Sequence, residues 1–202
     1  MRQSDDFNED SREDDSEDER FMSRALALAR RGLYTTDPNP RVGCVLVRDG
    51  KVVGEGWHER AGQAHAEVNA ILAAGQGADG ATAYVSLEPC HHQGRTGPCT
   101  QALAAAGVRR VVAAMTDPDP RTAGQGLEAL RGAGIQVHCG LLEDRARDLN
   151  PGFVMRHTRG RPYVRIKMAA SLDGRTAMAD GESKWITGPA ARRDVQRLRA
   201  RS

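Results

Sequence analysis

No stretch of this chain approaches the roughly 18 consecutive apolar residues that a transmembrane helix needs, so neither a span nor a membrane partner is expected. The N-terminus lacks the apolar segment of a secretory signal, which points to a cytoplasmic protein. Cysteine is sparse: four in 202 residues make no disulfide framework, and two of the four stand in a metal-like context that suits a reducing compartment. Aromatic residues amount to only 4%. What remains is the make-up of an ordinary α/β protein, 39% hydrophobic with 22 glycines, long enough for one full domain and part of another.

The formal net charge of +2 conceals an asymmetry. Residues 1–20 hold ten Asp/Glu and three Arg, which leaves 26 Lys+Arg against 17 Asp+Glu, a net +9, on everything that follows. With so few apolar residues, this segment is predicted to be a disordered, solubilising acidic tail. The basic remainder suits an anionic small-molecule substrate and does not single out nucleic acid.

From Phe21 the pattern becomes periodic. Phe21, Met22, Ala25, Leu26, Leu28 and Ala29 recur at helical spacing up to Gly32. Val42–Val47 and Lys51–Gly54 flank Asp49-Gly50 and read as a hairpin with a tight turn. Helices are expected over 65–74, 99–106, 126–131 and 141–149, and strands over 82–87, 108–115 and 135–138. The order α-β-β-α-β-α-β-α-β-α implies a mixed sheet with helices on both faces over residues 21–150. Residues 151–162 read as a linker. A strand at Tyr163–Lys167, a turn at Ser171–Thr176 and a helix at Pro189–Arg201 follow, too little to bury a core, so residues 163–202 look like a second domain cut short.

The chemistry concentrates in His65-Ala66-Glu67, Pro89-Cys90 and Cys99. One imidazole and two thiolates form a three-ligand zinc set with a fourth position open to water, the pattern of catalytic zinc sites. His65 and Cys99 each open a predicted helix, where the dipole favours a thiolate. Glu67 is placed to take a proton from water activated by the metal and to deliver it to a departing amine, a hydrolytic deamination. The alternative is a closed structural zinc site with His91 or His92 as fourth ligand, a binding module without catalysis. Cys44 and Cys139, on predicted strands, read as buried small hydrophobes, and His138 as a core or edge residue.

Four segments carry a resemblance: Asn39-Pro40-Arg41-Val42-Gly43-Cys44, Gly54-Glu55-Gly56-Trp57-His58, His65-Ala66-Glu67-Val68, and the run Leu87 to Cys99 with its Gly94-Arg95-Thr96 insert. With these, the chain from Phe21 onward is similar to the bifunctional deaminase–reductase family of riboflavin biosynthesis, in the zinc-dependent cytidine deaminase superfamily. It departs at Gly97, where the family usually has a second proline. Nucleoside and tRNA deaminases, the alternative reading within enzymes, typically space their cysteines by only two residues.

The resemblance implies a three-layer α/β/α cytidine-deaminase-like domain, followed by an incomplete dihydrofolate-reductase-like α/β segment. It implies zinc-dependent deamination of 2,5-diamino-6-hydroxy-4-(5-phosphoribosylamino)pyrimidine to 5-amino-6-(5-phosphoribosylamino)uracil with release of ammonia. Asn39 would then hold the pyrimidine edge, His58 would help close the pocket, and Arg95 and Thr96 would meet the phosphate. Lys167-Met168-Ala169-Ala170-Ser171-Leu172-Asp173-Gly174-Arg175 and Ser183-Lys184-Trp185-Ile186-Thr187-Gly188 resemble the start of the NADPH-dependent reductase, with Ala169 and Trp185 on NADP and Ser183 and Arg199 on substrate. No reductase activity is expected of these 202 residues alone. Related deaminases associate, so a homo-oligomer is among the expectations.

Overall fold

A computed structural model describes residues 9–93 and 97–201, the first seven of them by backbone only. The chain divides into two compact units, Met1–Pro162 and Tyr163–Ser202. In the first, α1 (Glu9–Ala29) leads into the hairpin β1 (Gly43–Arg48) and β2 (Lys51–Trp57). Then come α2 (Ala66–Ala74), β3 (Thr82–Val85), α3 (Cys99–Ala105), β4 (Arg110–Ala113), α4 (Gln125–Gly132), β5 (Gln136–Cys139), α5 (Glu143–Leu149) and α6 (Pro151–Arg159). The hairpin turns on Asp49 and Gly50, both at positive φ, as a two-residue loop between strands requires.

The five strands form one mixed sheet in the order β2-β1-β3-β4-β5. β1 runs antiparallel to both β2 and β3, and β3, β4 and β5 are parallel. Alternation along β1 divides the core between the two faces. Val45 and Val47 join Phe21, Met22 and Leu26 of α1, together with Tyr84, Val112 and Ala146. Cys44 and Leu46 join Ala66 and Ala70 of α2, Leu103 of α3 and Leu130 of α4. This is the three-layer arrangement expected. On β2, Gly54 and Gly56 let α2 lie directly on the strand: a Cβ at either position would collide with the carbonyl oxygen of Ala70 or Ala66. That close approach fixes the start of α2 against the sheet.

Several elements differ from the sequence expectation. The disorder expected for residues 1–20 does not extend to residue 20, because α1 begins at Glu9. Farther along, Asp18 accepts hydrogen bonds from Tyr84 Oη at 2.6 Å and Arg110 Nη1 at 2.9 Å. Burial opposes the charge on Asp18, but these bonds outweigh it and hold the carboxyl below its ordinary range. The first eight residues of the expected tail lie outside the described ones.

The expected linker is also helical. Pro151 occupies the first turn of α6, where its missing N–H costs nothing. Phe153 and Val154 pack against the α1 side of the core, and Gly160 ends the helix at a φ of 63°. Cys139 is exposed rather than buried, because β5 is an edge strand with little covering it. His138, on the same edge, is exposed, while Cys44 is buried.

In the second unit the turn at Ser171–Arg175 and a helix, α7 (Pro189–Ala200), are present. The strand expected at Tyr163–Lys167 is absent, and Val164 and Ile166 are 74% and 82% exposed. A strand needs a neighbour for its backbone hydrogen bonds, and no described residue pairs with this one.

Candidate active site and metal centre

The site lies at the carboxyl ends of the parallel strands, where open α/β sheets usually bind ligands. Beyond β3 the chain runs through Glu88-Pro89-Cys90, and beyond β4 through Asp117-Pro118-Asp119. His65 caps α2 in extended backbone (φ −77°, ψ 166°), and Cys99 is the first residue of α3 behind Pro98. His65 Nδ1 lies 3.5 Å from Cys90 Sγ and 3.3 Å from Cys99 Sγ, and the three donor atoms fall within 4.8 Å of one another. Tetrahedral zinc with Zn–N near 2.0 Å and Zn–S near 2.3 Å would separate nitrogen from sulfur by about 3.5 Å, so the spacing fits.

The electrostatics also fit a cation. Hydrogen bonds from the Cys99 thiol and from His65 hold the Cys90 thiol down at about 4, against the cost of burial. The same bond from the other side, reinforced by burial, pushes the Cys99 thiol up. Two thiols this close cannot both ionise unaided, and a divalent ion among the three donors removes that conflict. The backbone N–H of Cys99, at the start of α3, also points at Cys90 Sγ, at 3.4 Å.

Beside the donors stands Glu67, 3% exposed, on the first turn of α2. Burial pushes its carboxyl above the ordinary range, nearer the pH at which it must exchange protons. His65 and Glu67 form part of the floor of a cleft of about 480 Å³. On one wall, His58 donates from Nδ1 to the Ala64 carbonyl at 3.0 Å and accepts at Nε2 from the Asn39 side-chain amide at 3.1 Å. Burial keeps His58 below its ordinary pKa, so it stands neutral in one tautomer and orients Asn39.

Sequence reasoning missed the opposite side. Glu88 is buried and accepts from the backbone N–H groups of Asp117 (3.0 Å), Gly124 (2.9 Å), Gly126 (2.9 Å) and Leu127 (3.3 Å). One carboxylate thus ties the loop before Cys90 to the start of α4. Asp117, Asp119 and Arg121 line the cleft, as do Phe153, Arg156 and His157 of α6. The turn at 117–120 was legible, but only the parallel order of β3 and β4 shows that it faces the site.

Burial raises the Asp117 carboxyl to about 7. The folded chain therefore holds a proton that the unfolded one releases near pH 4, so this group makes stability fall as pH rises from about 4 to 7. Asp117→Asn keeps an oxygen to accept from the Asp119 N–H, 2.8 Å away. It is expected to raise stability by on the order of 2 kcal/mol at pH 8 and by little at pH 4. Denaturant midpoints at the two pH values check this, and an equal shift at both would refute the assignment.

His91 and His92 serve in the loop: their Nδ1 atoms meet Thr100 Oγ1 at 3.2 Å and Thr122 Oγ1 at 3.3 Å. Neither joins the donor group among the described residues. Arg95 and Thr96, expected to hold the phosphate, lie outside the described residues. In the second unit Ala169 is half-buried, whereas Ser183, Trp185 and Arg199 are exposed, with Trp185 under the Arg192 guanidinium at 4.3 Å. No described residue of that unit is buried.

Residues 15–115 match the family described as the cytidine and deoxycytidylate deaminase zinc-binding region, and residues 162–202 match the RibD C-terminal domain. The riboflavin biosynthesis protein RibD of Escherichia coli K12 is 62% identical over 186 residues, 92% of this chain and 51% of that protein. The structure of RibD from Acinetobacter baumannii superposes with a TM-score of 0.88 at 58% identity, over 93% of this chain and 53% of that one. A diaminohydroxyphosphoribosylaminopyrimidine deaminase/5-amino-6-(5-phosphoribosylamino)uracil reductase from Thermotoga maritima does so with a TM-score of 0.86 at 42% identity, over 92% and 53%. This chain spans about half the length of these relatives.

Proposed function

This chain belongs to the cytidine and deoxycytidylate deaminase zinc-binding family and corresponds to the N-terminal part of RibD, and from that premise we propose that it deaminates 2,5-diamino-6-hydroxy-4-(5-phosphoribosylamino)pyrimidine by hydrolysis. The observation that carries the reading is the buried Glu67 beside three zinc-compatible donors on a cleft of small-molecule size. His65, Cys90 and Cys99 would hold zinc. Bound there, zinc supplies a Lewis acid that lowers the pKa of a coordinated water towards neutrality.

The remaining work falls to the chain's own side chains. Glu67 takes the proton of the attacking water on its carboxylate and returns it to the departing nitrogen, which leaves as ammonia. The water oxygen becomes the new ring carbonyl, and its second proton ends on the adjacent ring nitrogen. Asn39, with its amide nitrogen engaged by His58, offers its oxygen to an N–H of the pyrimidine. Asp117 and Asp119 offer carboxyl oxygens suited to exocyclic amino groups. The resemblance assigns the phosphate to Arg95 and Thr96, which lie outside the described residues. Within a longer protein the second unit contributes Ala169 and Trp185 to NADPH and Ser183 and Arg199 to the product being reduced.

The test is ammonia release by the zinc-loaded chain from this pyrimidine, from cytidine and from an adenosine-containing RNA loop. Turnover of the phosphoribosyl pyrimidine alone is expected. Turnover of cytidine or RNA instead would replace the substrate, and stoichiometric zinc with no ammonia from any of them would refute the reading.

A further inference from the structure

One wall of the cleft has no part in the proton chemistry. α6 begins directly after Asn150, whose side chain clamps the backbone of Arg41: Oδ1 accepts from Arg41 N at 2.8 Å and Nδ2 donates to Arg41 O at 2.9 Å. The helix start is thereby pinned next to the Asn39-Pro40 turn that lines the site. Along α6, Phe153, Arg156 and His157 follow at i, i+3 and i+4, so they share one face, and all three line the cleft. Phe153 packs against the core, and its ring lies 4.6 Å from that of His157.

The charges on this side are unevenly committed. Arg121, the other guanidinium of the lining, is bound to Asp119 through Nε at 2.9 Å and 3.1 Å. Arg156 is paired with no carboxylate among the described residues. A guanidinium with no carboxylate partner among the described residues, next to an imidazole on a helix that lines the cleft, has the chemistry to receive a doubly charged oxyanion. The planar fork matches two phosphate oxygens at once.

We propose that Arg156, supported by His157, anchors the phosphate of the substrate, so that α6 selects a phosphorylated pyrimidine over its dephosphorylated nucleoside form. The inference rests on the function proposed above and adds a specificity determinant to it. The pyrimidine end then meets Asn39 and Glu67, while the phosphate end meets the helix that sequence alone presents as a linker. A helix held by Asn150 and Phe153 sets the distance between the two ends.

The experiment compares kcat/KM for the phosphorylated substrate and its phosphatase-treated form in the zinc-loaded wild type, Arg156→Ala and Arg156→Lys. The preference for the phosphorylated form is expected to fall about tenfold to a hundredfold in Arg156→Ala, mainly through KM, with partial recovery in Arg156→Lys. Equal losses on both substrates, the result of mere structural damage, would overturn the proposal, as would an unchanged preference. Calorimetry with inorganic phosphate separates this question from turnover. Binding in the wild type that disappears in Arg156→Ala supports the anchor even if the proposed reaction fails, and equal binding in both overturns it.

Discussion

Glu67→Gln is expected to cut ammonia release by about a thousandfold while leaving zinc at one per chain. The carboxamide occupies the same volume but cannot take up a proton and pass it on. The size of the loss is set by what proton transfer from a positioned group contributes, roughly a hundredfold to ten-thousandfold. Stability should move the other way. Burial pushes the Glu67 carboxyl up, so the metal-free folded chain at neutral pH must either bury a charge or bind a proton that the unfolded chain releases. Glutamine needs neither, and metal-free Glu67→Gln is expected to melt no lower than metal-free wild type. Zinc analysis, an ammonia assay and melting curves decide the matter. A variant that kept more than a tenth of wild-type turnover would remove Glu67 from the proton path. One that lost zinc along with activity would make it part of the metal site.

What could be read in advance follows a physical division. α1, the β1–β2 hairpin and the alternation of later strands with helices are written in local periodicity and turn residues, and the three-layer fold follows from them. The grouping of His65, Cys90 and Cys99 was also legible, because His-x-Glu and two distant cysteines are chemically distinctive types. What escaped depends on partners far away in sequence. Asp18 anchors the acidic end of α1 to Tyr84 and Arg110, 66 and 92 residues distant, a bond no local composition reveals. Asn150-Pro151-Gly152 and Gly160-Arg161-Pro162 look like linker punctuation, yet the first proline starts α6 and the glycine ends it. Glu88 reads as a loop residue until four backbone N–H groups from 117–127 are seen to converge on it.

Cys99→Ala is expected to abolish zinc retention through dialysis and, with it, the stability that zinc confers. Its thiol is one of three donors grouped among the described residues, and the pair Cys90–Cys99 carries the anionic charge that attracts the ion. A metal present at about a thousand times its dissociation constant stabilises a fold by about 4 kcal/mol. For a domain of this size that is worth roughly 8 to 16 °C in Tm. Wild type should therefore lose about that much on chelation and regain it with zinc, whereas Cys99→Ala should sit at the chelated value throughout. Cys139→Ser, which replaces an exposed thiol on the sheet edge, should respond as wild type does. His91→Ala and His92→Ala carry the opposing possibility, a closed four-ligand site. Both rings are held by threonines in the structure, so zinc should stay at one per chain in each variant. Loss of zinc in either would turn the open catalytic position into an occupied one and leave Glu67 with no water to act on. Full zinc retention in Cys99→Ala would show that the metal is held elsewhere.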